Sequence, residues 1–210
     1  MQDDPAFASA LTQALAISEA DGDPVAAEMA PGEMMAAMRD DIRGGSAQKR
    51  VAEFAAERLG GASRIAAFSI NGWDTHDNQD RSLGRALGRL SDTILTLRDG
   101  MGPQAWGKTA VVAMTEFGRT VRINGTSGTD HGTGGAMIMA GGAIRGGRVV
   151  SDWPGLAEAD LYARRDLMPT RDLRAHAGWL IRGLFGLDTK VIERDIFPGL
   201  DLGPDPRLLL

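Results

Sequence analysis

Residues 83–119 read LGRALGRLSDTILTLRDGMGPQAWGKTAVVAMTEFGR. Two periodicities meet in this stretch. Leu83, Leu87, Leu90, Ile94 and Leu97 recur at three- and four-residue steps, which predicts an amphipathic helix ending near Gly100. Thr109–Met114 is instead a short, continuous apolar run, the pattern of a strand buried on both faces. Glu116 and Arg119 follow directly, so these polar residues fall at the carboxyl end of the predicted strand.

The same alternation continues outward. Upstream, Arg64–Ile70 (RIAAFSI) is a second apolar run, followed by Asn71-Gly72-Trp73-Asp74-Thr75-His76. Downstream, Ala136–Ala140 and Arg148–Val150 are further strand candidates. A late helix is expected to be capped by Thr170, to face one way with Leu173, Ala177, Leu180 and Leu184, and to end at Gly186. Continuous apolar strands alternating with a long helix predict an α/β fold whose parallel sheet is covered on its faces. Ligands in such folds sit beyond the carboxyl ends of the strands. Asp74 and His76 follow one predicted strand, and Glu116 and Arg119 the next. Asp130 and His131 precede the strand at 136–140, so their loop must return across the same end of the sheet.

Residues 1–60 read as a helical segment, 61–190 as the α/β domain and 191–210 as an irregular tail. In the first segment Phe7, Leu11, Ala14 and Leu15 form one stripe, broken at Asp21-Gly22-Asp23-Pro24 and again at Pro31-Gly32. Met34, Met35, Met38 and Ile42 share helical spacing and read as core filling. Ser46 is a cap for a helix in which Ala47, Val51, Phe54 and Ala55 share a face, ended by Gly60-Gly61.

Composition narrows the function classes. Of 210 residues, 43% are hydrophobic and 24% charged, the balance of a soluble globular protein. No apolar run reaches membrane-spanning length, so no membrane span is expected. Cysteine is absent, which excludes disulfides, thiolate catalysis and cysteine-ligated metals. The net charge is −5, and no Lys/Arg block of nucleic-acid-binding type occurs, so a nucleic-acid partner is not expected. Met1–Phe7 holds two aspartates and no base, and does not read as a signal peptide.

Only three histidines exist: His76, His131 and His176. Asp74 and His76, two residues apart, offer oxygen and nitrogen donors of the kind that bind zinc, manganese or iron. The alternative is a turn in which Asp74 caps the helix from 79 while His76 is solvated. Gly128-Thr129-Asp130-His131-Gly132 carries a second Asp/His pair in a glycine-flanked loop. Glu116 reads as a ligand, a general base or half of a salt bridge; Arg119 reads as an anion clamp or the other half. Asn124 reads as a substrate ligand or a turn residue, and His176 as a structural histidine. The glycine pairs 141–142 and 146–147 match no phosphate loop, and no Gly-x-Ser-x-Gly elbow is present.

Taken in order, Gly72–His76, Asn78-Gln79, Thr115–Thr120, Asn124, Gly128–Gly132, Gly146-Gly147 and Trp153–Leu156 resemble the Domain of Unknown Function 1501 (DUF1501) family. That family is placed in the alkaline phosphatase-like superfamily, and its members are often exported by the twin-arginine route. The resemblance implies a three-layer α/β/α sandwich with a mostly parallel sheet. It also implies a metal-dependent hydrolase scaffold acting on phosphate or sulfate esters, with a small anionic or saccharide-linked substrate. Carried onto this chain, Asp74, His76, Asp130 and His131 are the ligands for a divalent metal such as zinc, manganese, calcium or magnesium. Glu116 and Arg119 are the catalytic candidates. Exported, periplasmic placement follows from the resemblance alone. Family members are about twice this length, so the chain corresponds to a C-terminal portion, an incomplete domain without the superfamily nucleophile. A non-catalytic exported binding domain reusing the fold is the alternative.

Overall fold

Small side chains set the first helix contact. In the computed structural model, which describes residues 46–210, helix α1 (Ser46–Gly60) lies against helix α2 (Gln79–Trp106). Ala52, Ala55 and Ala56 of α1 bury against Leu97 and Met101 of α2, with Leu59, Trp106 and Val111 at the margin. The approach is close: a Cβ at Gly100 would come within 2.8 Å of the Ala56 Cβ. Truncating Leu97 here is expected to cost about 2–5 kcal/mol, because a well-packed site collapses only partly. The sequence stripe is shifted in the outcome. Leu90 and Leu97 are buried beside Ala86, Thr93 and Met101, whereas Leu87 stays 44% exposed. The helix also continues past Gly100. Gly102 breaks it with φ 70 and ψ 170, and Pro103 opens a further turn ending at Trp106. The stripe of Phe7–Leu15, its two breaks and the methionine cluster at 34–38 lie outside the described residues.

The described strands form two separate two-stranded antiparallel ladders. Strand β1 (Val111–Ala113) pairs with β4 (Ile138–Ala140), Val112 opposite Met139. Strand β2 (Gly118–Arg119) pairs with β3 (His131–Gly132), Arg119 opposite His131. The runs at 109–114 and 136–140 therefore hold strands, shorter than expected and antiparallel rather than parallel. The run at 64–70 holds none: it makes no ladder among the described residues, and Ile65 is 73% exposed. A continuous apolar run encodes burial on two faces but not a neighbour to pair with. The run at 148–150 also forms no strand; it follows a turn with Gly147 at φ 72.

Helix α3 (Leu173–Phe185) is capped by Asp172, whose carboxylate accepts from the Arg174 N–H at 2.9 Å, rather than by Thr170. Gly186 ends it in the left-handed conformation at φ 69, as expected. Its inner face uses Gly178 and Leu180, with Ala175, Trp179 and Ile181 packed on a second core of Ile192, Leu200 and Leu202. The tail after Phe197 is irregular yet docked: Leu200, Leu202 and Leu208 are buried, and Leu209 bridges to Ile144. No helix among the described residues is long and apolar enough to cross a membrane.

Candidate metal centre

The segment before α2 places two side chains on one side of the buried Thr75. Thr75 is buried, and its hydroxyl donates to Gln79 Oε1 at 2.8 Å. Its neighbours Asp74 and His76 are exposed, and their side chains meet across a tight turn in which the Thr75 N–H donates to the Trp73 carbonyl at 3.0 Å. His76 Nε2 lies 3.0 Å from Asp74 Oδ1. Asp74 therefore does not cap α2; the N-cap residue is Asn78, without a side-chain cap bond.

The β2–β3 pair delivers the remaining groups. Arg119 and His131 face each other in register, and both reach Asp74 Oδ1: Arg119 at 2.6 Å and His131 Nε2 at 2.8 Å. Asp130 is tied to Thr120, whose N–H donates to its carbonyl and whose hydroxyl accepts its N–H. The Asp130 carboxylate lies 3.4 Å from His76 Nδ1 and accepts from Asn124 Nδ2 at 3.0 Å. Two glycines permit this closeness. A Cβ at Gly128 would collide with the His76 carbonyl, and one at Gly132 would fall against the Arg119 backbone.

Asp74, His76 and His131 thus each offer a donor atom, and these atoms all lie within 4.8 Å of one another. Asp130 joins as a neighbour of His76. Phe117 stacks on the His131 ring at 4.3 Å, and the two imidazoles lie 4.8 Å apart. The side chains of the three donors are about half exposed, open to solute. His131, hydrogen-bonded to it, and Arg119 hold the Asp74 carboxyl below its ordinary pKa. Asn124 and His76 do the same for Asp130. Both carboxyls therefore stay ionised, the form a cation requires.

Arg119 is a brace. Its guanidinium also donates to the carbonyls of Trp73 and Thr129, each at 2.8 Å, so it ties the Asp74 segment to the His131 loop. Glu116 stands outside the cluster, exposed, with no hydrogen bond or ion pair among the described residues. His176 sits on α3 and is not one of the grouped donors. Asn124 closes a turn by accepting from Thr126 and Gly128, while its amide donates to the His76 carbonyl and to Asp130. Gln79 stands in the family motif but the sequence assigns it no role; its Oε1 accepts from the hydroxyls of both Thr75 and Thr129, joining the two loops. The hydroxyl-bearing residues inside both Asp/His motifs were the available signal.

The donor set suits a divalent cation of the nitrogen and oxygen class: one carboxylate and two imidazoles. His76 supplies a second point of fit. A ligating imidazole commonly donates its other N–H to a carboxylate, and Asp130 stands at Nδ1 while Nε2 faces the cluster. Among comparisons with known proteins, a family model described as a protein of unknown function (DUF1501) matches residues 2–195. No curated protein and no solved structure matches the chain.

Proposed function

The chain belongs to the DUF1501 family of proteins of unknown function, and from that starting point we propose that it is a metal-dependent hydrolase-like domain of phosphatase or sulfatase type. One observation carries the reading: donor atoms of Asp74, His76 and His131, from two loops far apart in sequence, lie within 4.8 Å of one another. The three side chains would hold a divalent ion. Such an ion contributes positive charge against an ester oxygen and acidifies water. Asp130 orients His76, and Arg119 orients Asp74. Glu116, exposed and without a partner among the described residues, is the group available to take a proton, one residue before the Phe117 ring that stacks on His131. The alkaline phosphatase-like placement, its α/β/α layering and export are part of the same proposal, supported by the order of the motifs.

The test is turnover of aryl phosphate and aryl sulfate esters by the full chain with added zinc or manganese. Hydrolysis that falls at least about tenfold in Glu116→Gln supports the reading. A protein that binds metal but turns over neither ester class favours the second reading, a non-catalytic exported binding domain. That reading has its own support: Arg119 and His131 already hydrogen-bond Asp74 Oδ1, with His76 Nε2 3.0 Å away, a closed network suited to a structural role.

A further inference from the structure

A cleft of about 240 Å³ is lined by residues of α3, the loop after β4 and the segment at 205–209, including Arg145, Trp179, Arg182, Asp205 and Arg207. The backbone fixes the arginines around it. Arg182 lies in the last turn of α3. The Arg145 N–H donates to the Leu208 carbonyl at 2.8 Å. Arg207 is held in the left-handed region at φ 52, with its N–H donated to Asp205 Oδ1 at 2.8 Å. A left-handed conformation is costly for an arginine and persists only where neighbouring contacts enforce it.

Among the described residues the three guanidinium groups lack counter-ions. Other arginines are neutralised: Arg171 by Asp152, Arg174 by Asp172 and Arg194 by Asp195. Arg145, Arg182 and Arg207 meet no carboxylate or acceptor through their guanidinium groups among the described residues; Arg182 lies over the Trp179 ring at 5.4 Å. Asp205 is the one carboxylate in the lining against three arginines. The Trp179 ring is itself fixed, its Nε1–H donating to the Leu202 carbonyl at 3.0 Å. A net positive, aromatic-walled cleft on a chain of net charge −5 concentrates anions locally. The planar arginine fork matches tetrahedral oxyanions in two-pronged contacts.

We propose that this cleft binds a small anionic ligand through a phosphate- or sulfate-type oxyanion, with the ligand's organic part against Trp179. The site is independent of the Asp74 centre. The test is calorimetric titration of the full chain, in chelator, with inorganic phosphate and separately with inorganic sulfate. The indole N–H resonance of Trp179, assigned through Trp179→Phe, is followed in parallel by NMR. Saturable binding of either anion that shifts this resonance, and that weakens at least about tenfold in Arg182→Gln/Arg207→Gln, is the expected result. Arg182→Lys keeps the charge but loses the fork, and is expected to bind between the two. Should the double variant unfold, Arg145→Gln alone is expected to weaken binding about threefold or more. Absence of saturable binding, or equal binding by wild type and the folded variants, overturns the proposal.

Discussion

Nε2 of His131 lies 2.8 Å from Oδ1 of Asp74, a residue 57 positions away in the chain. The β2–β3 register makes this contact, because Arg119 and His131 stand opposite each other and both side chains reach the same carboxylate. A site on one flexible loop would need no such scaffolding. Here backbone pairing, two glycines and a half-buried Gln79 relay hold two loops together.

Arg119 ties those loops through three acceptors, the carbonyls of Trp73 and Thr129 and the Asp74 carboxylate. Arg119→Ala leaves the carbonyls of Trp73 and Thr129 without their guanidinium donor. The expected loss is about 1–3 kcal/mol in urea unfolding. Arg119→Lys is expected to recover only part of it, since one ammonium cannot span three acceptors. Equal stability of wild type and Arg119→Ala would show that the brace is idle.

Gly128 tests the close approach of the loops. Its Cβ position is occupied by the His76 carbonyl. Gly128→Ala is expected to lower stability by about 1–3 kcal/mol and to displace His76, read as a fall in melting temperature and in metal affinity together. A fall in neither means that the loop yields without disturbing the site.

Much of this was legible in the sequence, and the reasons differ by element. Helix α3 and its Gly186 terminus follow from local rules, as does helix α1, because periodicity and a terminal glycine act within a few residues, although Asp172 rather than Thr170 supplies the α3 cap. The pairing of Asp74 with His76 was half legible: spacing allowed one shared face or a splayed turn, and burial of Thr75 selects the shared face. The Arg119–His131 register was not legible, since two-residue strands carry too little pattern to fix a partner. The apolar run at 64–70 reads as a strand, yet a ladder needs a neighbour that no local pattern specifies.

Asp130 is expected to act through His76. Asp130→Asn removes the carboxylate beside Nδ1 and keeps the size of the side chain. Metal affinity is expected to fall about 10–100-fold, and the nitrogen-15 shifts of the metal-free His76 ring to report a changed tautomer. Unchanged shifts and affinity would make Asp130 a bystander.

Away from the site, the Asp152–Arg171 pair gives a pH signature. Arg171 donates to both carboxylate oxygens, at 2.5 and 2.8 Å, and holds the carboxyl below its ordinary value of 3.8. A depressed folded-state value means that the stabilisation is present above 3.8 and is lost as pH falls through the lower folded value. The stability difference between wild type and Asp152→Asn is therefore expected to be small but constant at neutral pH and to close in acid. Exposure of both side chains and solvent screening keep it small. A difference that does not shrink in acid would contradict this assignment.

The metal centre is tested most directly by counting ions. The full chain is dialysed against trace zinc and manganese, beside a His76→Ala/His131→Ala double variant, and bound metal is measured by elemental mass spectrometry. The expected result is one ion per wild-type chain and none retained by the folded double variant. A well-folded wild type that retains no metal, or a double variant that retains as much, would contradict the assignment of Asp74, His76 and His131 as ligands.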